Sequence, residues 1–238
     1  AVKDFEFEGW ALGSETKNTM ASAIIWLRRL LDDGKLDKSE WVHCLGSSPV
    51  INQVVLTTAQ RMLSKQLGHQ LTISLDSSSP IQLAGKNKKM VELSNFTTNL
   101  KSWKMPSAKI KQTTAIARRI EEAALPSYSP LAEYLDLADI VVNEDWYADN
   151  RTDTLSEHLL VNHNMYMYHL NGVRGCQLAL DGIGEGEVPQ ELSDAIGAIE
   201  EYIVAEDKHA KEQVLRDTLG RLEKVAGKNT EKDIVLTT

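Results

Sequence analysis

Apolar and polar positions alternate in three short segments near the start of the chain, and segments with helical spacing separate them. Residues 5–12, 40–46 and 71–75 have the alternation and the β-branched or aromatic residues that are typical of strands. Over residues 17–31 and 50–67, apolar residues recur every three or four positions, which predicts amphipathic helices. The first 80 residues therefore predict the order β-α-β-α-β, with parallel strands joined by right-handed crossovers.

Turn and capping residues indicate where these segments end. Asp32-Asp33-Gly34 and Gly68 stop the two helices, while Ser47-Ser48-Pro49 offers an N-cap and a first-turn proline to the second helix. The third strand is followed by Asp76, three serines and Pro80, which favour a turn, so we expect pairing to stop near Asp76. Asp76 then lies at the carboxyl end of a strand, where parallel α/β proteins bind ligands and mount catalytic residues.

The pattern changes after Pro80. A loop with a short hairpin is predicted over residues 81–106, a basic helix over 107–125, a short helical or extended piece over 131–142, a long helix over 154–180, and two amphipathic helices over 189–204 and 207–225. Gly182, Gly184 and Gly186 predict a break between the long helix and the last two.

Composition limits the class of protein. With 238 residues and 42% apolar residues, the chain suits one large or two small globular domains. No apolar run approaches the roughly 20 residues that span a bilayer, and the first residues do not resemble a signal peptide, so we expect a cytoplasmic protein without membrane partners. Cys44 and Cys176 are the only cysteines; we expect buried thiols, and neither a disulfide framework nor a cysteine-rich zinc site.

Charge is distributed unevenly along the chain. The net charge is −8, with an excess of acidic residues beyond Asp181. The segment from Lys86 to Arg119 has nine cationic residues and one acidic residue, Glu92. Such a segment is either a solvated surface or a set of phosphate contacts. The nucleic-acid contacts that we predict within it are Lys86, Lys88, Lys89, Lys101 and Lys104.

Four short motifs follow one another along the chain. They are Gly9-Trp10-Ala11-Leu12-Gly13-Ser14, Cys44-Leu45-Gly46, Asp76-Ser77-Ser78-Ser79-Pro80 and His163-Asn164-Met165-Tyr166-Met167-Tyr168. In order and spacing they resemble motifs of the tRNA-guanine transglycosylase superfamily, and they are most similar to those of its phage and bacterial relatives that insert 7-deazaguanines into DNA.

This resemblance implies a fold and a domain division. The family is a TIM (β/α)8 barrel, and the chain resembles only its C-terminal portion, the last three strands, followed by a mainly helical subdomain. Residues 1–85 would be the partial barrel with the nucleophile strand, and 86–182 a basic insertion and helical subdomain similar to the family's zinc subdomain without its cysteines. Residues 183–238 would be an acidic helical tail. We expect a partner chain or a missing N-terminal half to complete the barrel, because an open part of a barrel exposes sheet edges.

The resemblance also implies roles for particular residues. Asp76 would be the covalent nucleophile, and Leu45 would pack on the substrate base. The backbones of Gly9, Leu12, Gly13 and Gly46 would approach the flat base, whereas the alternative for the glycines is an ordinary turn role.

The histidines need a separate assessment. His163 resembles a family zinc ligand, but the Cys-x-Cys-x-x-Cys triplet is absent, so we predict no metal site and no cofactor. His158, His163 and His169 do not have the spacing of an i, i+4 metal pair, and we expect structural roles for them. Tyr166 and Tyr168 are expected in the core.

The resemblance thus implies a pentosyltransferase that replaces guanine in DNA by a 7-deazaguanine through an aspartyl-glycosyl intermediate. Two alternatives remain open: a tRNA-guanine transglycosylase that acts on tRNA, and a non-catalytic nucleic-acid-binding subunit that completes a partner's barrel.

Overall fold

The structure is a computed structural model that describes residues 7–13, 19–46, 49–87, 89–109, 128–135 and 154–226. The chain divides into two compact units that interleave in sequence. The sheet unit comprises Ala1–Ser77, Asn95–Lys104 and Gly172–Asn229, and the ribbon unit comprises Ser78–Ser94, Met105–Asn171 and Thr230–Thr238. The division of the chain at residues 85 and 182 stays a prediction.

Three parallel strands form the centre of the sheet unit. They are β1 (Gly9–Leu12), β2 (Trp41–Cys44) and β3 (Thr72–Leu75), in the spatial order β1-β2-β3. Helix α1 (Met20–Asp32) connects β1 to β2, and helix α2 (Val50–Leu67) connects β2 to β3. The predicted β-α-β-α-β order and the parallel pairing are therefore confirmed, and the protein is a mixed α/β protein with a small parallel sheet and a helical part.

Local capping explains where α1 and α2 begin and end. Thr19 is the N-cap of α1, and its side chain accepts a hydrogen bond from the Ser22 amide. Gly68 ends α2 as predicted, because its φ of 71° is in the left-handed region that favours glycine. Pro49 occupies the N-cap position of α2 and not its first turn, which corrects the prediction. The expected N-cap serines at positions 47 and 48 lie outside the described residues.

The two faces of the sheet differ in burial. Side chains alternate between faces along a strand, and Val42 and Cys44 are fully buried on one face, at 0% exposure. On the opposite face, which we call the open face, Ala11, Trp41 and Thr72 are exposed. The Cys44 thiol is thus buried as expected, whereas Cys176 is partly exposed.

Helices complete the sheet unit. The long helix α4 (Thr154–Cys176) continues into a π-helical turn at Gln177–Asp181, and the glycine-containing break then leads to α5 (Gln190–Val204) and α6 (Lys208–Ala226), as predicted. Helix α5 packs on α2 and α6, and α6 also contacts α1. Arg28 of α1 donates hydrogen bonds to the carbonyls of Tyr202, Ile203 and Ala205 at the end of α5, which satisfies acceptors that a helix end leaves unpaired.

The ribbon unit contains α3 (Ser79–Gly85), an antiparallel pair of strands, β4 (Lys89–Val91) and β5 (Ser107–Lys109), and the first part of α4. A hairpin was predicted within residues 81–106; an antiparallel pair is present, but its second strand, β5, lies just beyond that range. The loop predicted from residue 81 is wrong at its beginning, because helix α3 continues to Gly85. Pro80 lies in the first turn of this helix, where a missing amide hydrogen is tolerated.

One further prediction in this region needs correction. The basic helix predicted from residue 107 does not begin there, because Ser107–Lys109 pairs with β4 as a strand, and residues 110–127 lie outside the described residues. Of the short helical or extended piece predicted over residues 131–142, the structure describes residues 131–135, and the 3-10 helix at Pro130–Glu133 agrees with the helical alternative.

Side chains of α4 satisfy the outer edge of β4. The amide of Val91 donates to Asn164 Oδ1 at 2.8 Å, and its carbonyl accepts from His163 Nε2 at 2.8 Å. Asn171 makes a similar pair of bonds to the residues that follow β4. Its Oδ1 accepts from the Ser94 amide at 2.8 Å, and its Nδ2 donates to the Glu92 carbonyl at 2.9 Å. Because β4 pairs with β5 on its other side, these side chains stand in for a third strand.

Within the described ranges, no helix is both long enough and apolar enough to cross a membrane.

Candidate active site at the carboxyl end of the sheet

Asp76 follows β3 directly, and its carboxylate lies beside the end of β2. Its Oδ1 accepts a hydrogen bond of 2.5 Å from the Gly46 amide, and its Oδ2 lies 3.8 Å from His43 Nε2. The Asp76 side chain is 53% exposed and the His43 side chain 20% exposed. The strand end predicted from the turn residues is therefore confirmed, and one carboxylate oxygen is fixed by the backbone while the other faces an imidazole.

The His43 ring belongs to a polar network on the open face of the sheet. Its Nδ1 lies 2.8 Å from Ser74 Oγ, and the same hydroxyl accepts a hydrogen bond of 2.6 Å from Trp41 Nε1. Trp41 and His43 are two residues apart on β2, and Ser74 is the partner of His43 on β3, so strand alternation and register place all three on one face. The ring centroids of Trp41 and His43 are 5.6 Å apart.

The glycines at the strand ends are explained by two different structural requirements. Gly46 has a φ of 77°, in the left-handed region, and this turn points its amide at Asp76. Gly9 lies at the amino end of β1, where a Cβ would be 3.0 Å from the ring of Trp41, so packing on Trp41 accounts for the glycine. Gly13 is exposed just beyond the carboxyl end of β1. Of these glycines, Gly13 and Gly46 lie at the edge that carries Asp76.

The two predicted leucines occupy different surroundings. Leu45 is 37% exposed and directly precedes Gly46, so it lies at the same edge as Asp76. Leu12 pairs with Cys44 in the register of β1 and β2, and strand alternation directs its side chain to the buried face. Its carbonyl accepts a 3.0 Å hydrogen bond from the Leu45 amide, so its backbone ties β1 to the end of β2.

The structure separates the predicted nucleic-acid contacts. Lys86 is exposed and Lys89 is buried, at 7% exposure, in the ribbon unit, so Lys89 is not available as a surface contact. Lys101 is exposed and Lys104 half-buried in the sheet unit, where burial and the nearby Lys101 charge lower the pKa of Lys104. Lys88 lies outside the described residues.

His163 has both ring nitrogens engaged within the protein. Nε2 donates to the Val91 carbonyl, so Nδ1 is left to accept from the Ser129 hydroxyl at 2.8 Å. Burial lowers the pKa of His163, which favours the neutral imidazole. The expected structural role is confirmed for His163. In the part of the chain that the structure describes, no group of three His, Cys, Asp or Glu side chains could hold a metal ion.

The remaining histidines and the tyrosine pair of the long helix differ in exposure. His158 and His169 are exposed. Tyr166 is 39% exposed, so the prediction that it lies in the core is wrong, while Tyr168 is half-buried, and burial raises its pKa.

An open depression lies at the opposite end of the sheet. Glu40, Trp41, His69 and Thr72 contribute to its lining. These residues lie at the amino ends of β2 and β3, away from Asp76, whereas parallel α/β proteins place their chemistry at the carboxyl ends. We therefore place the candidate site at Asp76.

Sequence reasoning missed Trp41, His43 and Ser74. Two signals were present: His43 is an ionisable residue inside an otherwise apolar strand, and Ser74 precedes Asp76 by two positions, which places both on one strand face. Comparisons of the chain with protein-family models, with curated proteins and with solved structures found no match.

Proposed function

We propose that this chain carries the nucleophile of a base-exchange pentosyltransferase of the guanine transglycosylase type, which replaces guanine in DNA by a 7-deazaguanine. The observation that carries the proposal is the carboxylate of Asp76, which is held at one oxygen by the Gly46 amide and is more than half exposed at the carboxyl end of a parallel sheet. The order of the four sequence motifs supports the same reaction.

The chemistry requires an anion at this place. A carboxylate oxygen of Asp76 attacks C1′ of the target nucleotide, the C1′–N9 bond breaks, and its electron pair leaves with guanine, which takes up a proton. The incoming deazaguanine loses a proton, forms the new bond to C1′ and displaces the ester, so the carboxylate is restored. A carboxylate stabilises the oxocarbenium-like transition state before it traps the sugar. The target nucleotide must be unstacked for this attack.

The open sheet is the reason to propose a completing partner. Among the described residues, β1 and β3 each pair on one side only, and the open face has no layer that buries Trp41. The outer amide of Ile73 on β3 donates to Gln60 Oε1 at 2.7 Å, a side-chain bond that a pairing strand would replace with a backbone bond. We propose that the remaining strands of a (β/α)8 barrel come from another chain or from a further part of the protein.

The substrate is proposed to be DNA, and tRNA remains the alternative. The absence of the zinc cysteine triplet favours the DNA branch of the resemblance. Exposed Lys86 and Lys101 are available for phosphate contacts, which give affinity without sequence information.

Exchange of labelled guanine tests the proposal. The chain, alone and together with a candidate chain that would supply the missing half-barrel, is incubated with duplex DNA and with tRNA in parallel. We expect label in DNA and a denaturation-resistant adduct with nucleic acid, both of which Asp76→Asn abolishes. Asp194→Asn is the matched control, because Asp194 is an exposed helical residue whose only described bond is to Gln190. Incorporation into tRNA alone would favour the alternative substrate.

An assembled complex that binds nucleic acid but neither exchanges label nor forms an adduct would instead identify a non-catalytic subunit. An exchange rate that Asp76→Asn leaves unchanged would remove Asp76 from the reaction.

A further inference from the structure

We propose that His43 is a positioning residue that presents a proton on Nε2 to the Asp76 carboxylate, with Ser74 and Trp41 fixing that arrangement. The effect on reaction rate rests on the proposed function, because His43 would orient the same nucleophile, Asp76. Its geometric basis lies in the network on the open face.

The donors and acceptors of the network, together with the Asp76 carboxylate, favour one tautomer of His43. An indole N–H can only donate, so Ser74 Oγ accepts from Trp41. The single proton of the Ser74 hydroxyl is then available to His43 Nδ1 at 2.8 Å, and a neutral imidazole that accepts at Nδ1 carries its proton on Nε2.

The other arrangements lead to the same donor or are disfavoured. If Nδ1 instead donated to Ser74 in a neutral ring, the lone pair of Nε2 would face the Asp76 carboxylate, 3.8 Å away, which is repulsive. If the ring were charged, both nitrogens would carry protons, and Nε2 would again be a donor. Asp76 therefore faces an N–H group in both favourable states of His43.

The carboxylate is in this way oriented from two sides. Oδ1 is held by the Gly46 amide, and Oδ2 faces the His43 donor. The separation of 3.8 Å is longer than a direct hydrogen bond, and such bonds commonly tighten when a reactant binds. A nucleophile held in this way keeps its attacking geometry, and small misplacements at reacting atoms cost about a hundredfold in rate.

Nitrogen NMR of the chain tests the hydrogen-bond network and does not require catalytic activity. In protein with ¹⁵N-labelled histidine, the shifts of the neutral His43 ring should report a proton on Nε2, and Ser74→Ala should weaken that preference. A neutral ring protonated on Nδ1 in the wild-type protein would overturn the proposal, whatever reaction the protein catalyses.

Adduct formation tests the consequence with two matched variants. The amide of Gln at position 43 can reach the place of Nε2, whereas that of Asn reaches only the place of Nδ1. We expect His43→Asn to lower the rate of adduct formation and kcat by about 10- to 100-fold with little change in KM for nucleic acid, and His43→Gln to recover a large part of the loss.

The outcomes separate this inference from the proposed function. If Asp76→Asn abolishes the adduct while both His43 variants match the wild-type rate, the role of His43 is refuted and the nucleophile assignment stands. If the wild-type protein forms no adduct with either nucleic acid even when the missing barrel half is supplied, the proposed function fails, and the NMR measurement still decides the tautomer.

Discussion

Asn164 offers the sharpest test of how the ribbon unit is held together. It is fully buried, at 0% exposure, and its carboxamide makes three hydrogen bonds to backbone groups. Oδ1 accepts from the Val91 amide at 2.8 Å, while Nδ2 donates to the carbonyls of Lys89 at 3.0 Å and Pro80 at 3.3 Å. Asn164→Ala removes all three partners at once.

The expected magnitude follows from the groups left behind. A buried donor or acceptor that loses its partner destabilises the fold by about 1–3 kcal/mol, and carbonyls tolerate the loss better than amides. With one amide and two carbonyls affected, we expect a loss of about 2–4 kcal/mol. Local protection of the Val91 amide against hydrogen exchange should fall by about 30- to 700-fold, since 1.4 kcal/mol corresponds to a factor of ten.

Native-state hydrogen exchange and urea unfolding measure this loss. The control is Asn162→Ala, which removes an exposed asparagine from the same helix and should change stability by no more than about 0.5 kcal/mol. Asn164→Asp provides a second comparison: it keeps the acceptor for Val91 but places oxygen lone pairs against both carbonyls. Equal Val91 exchange in Asn164→Ala and Asn162→Ala would refute the view that helix side chains complete the edge of β4.

Three further predictions concern the sheet unit. A Cβ at Gly175 would collide with the Val50 side chain, so Gly175→Ala should destabilise by about 1–3 kcal/mol, whereas Gly197→Ala in α5, with open space around it, should stabilise by about 0.5–1 kcal/mol; urea unfolding that ranks them otherwise would contradict this packing. Burial raises the pKa of Glu223, so the folded state binds this proton more tightly than the unfolded state, and its contribution to stability is lost as pH rises from the unfolded pKa through the folded one. Glu223→Gln can still accept from the Met20 amide, so its stability relative to the wild-type protein should increase as the pH is raised from 4 to 7. A stability difference that does not change with pH would contradict this prediction. Burial raises the pKa of Cys44 to about 11, so iodoacetamide at pH 8 should modify Cys44 slowly until urea unfolds the protein, as read by mass spectrometry; rapid native labelling would show that the thiol is accessible.

Local signals in the sequence were sufficient for most of the secondary structure. Helix α2 spans Val50–Leu67 as predicted, because its apolar spacing and the left-handed glycine after it act within a few residues. Asp76 at the end of β3 was predicted for the same reason: strand alternation and a turn sequence are adjacent in the chain. Pro80 was ambiguous, since a proline can end a strand or begin a helix, and both happen within five residues here.

Burial and partners could not be predicted in this way. Lys89 belongs to a basic segment by composition, yet its place in β4 buries it. The His163-Asn164 pair resembled part of a zinc subdomain, but the side chains hydrogen-bond the edge of β4, more than 70 residues earlier in the chain.

The sequence by itself thus determined the order of strands and helices and the carboxylate at the end of β3, because these depend on neighbouring residues. Only the tertiary structure brought His43 beside Ser74 and Asp76 and left Trp41 exposed on the open face. The physical reason is register: shifting β2 by one residue against β3 would turn His43 to the buried face, and register is set by contacts between segments that lie about 30 residues apart.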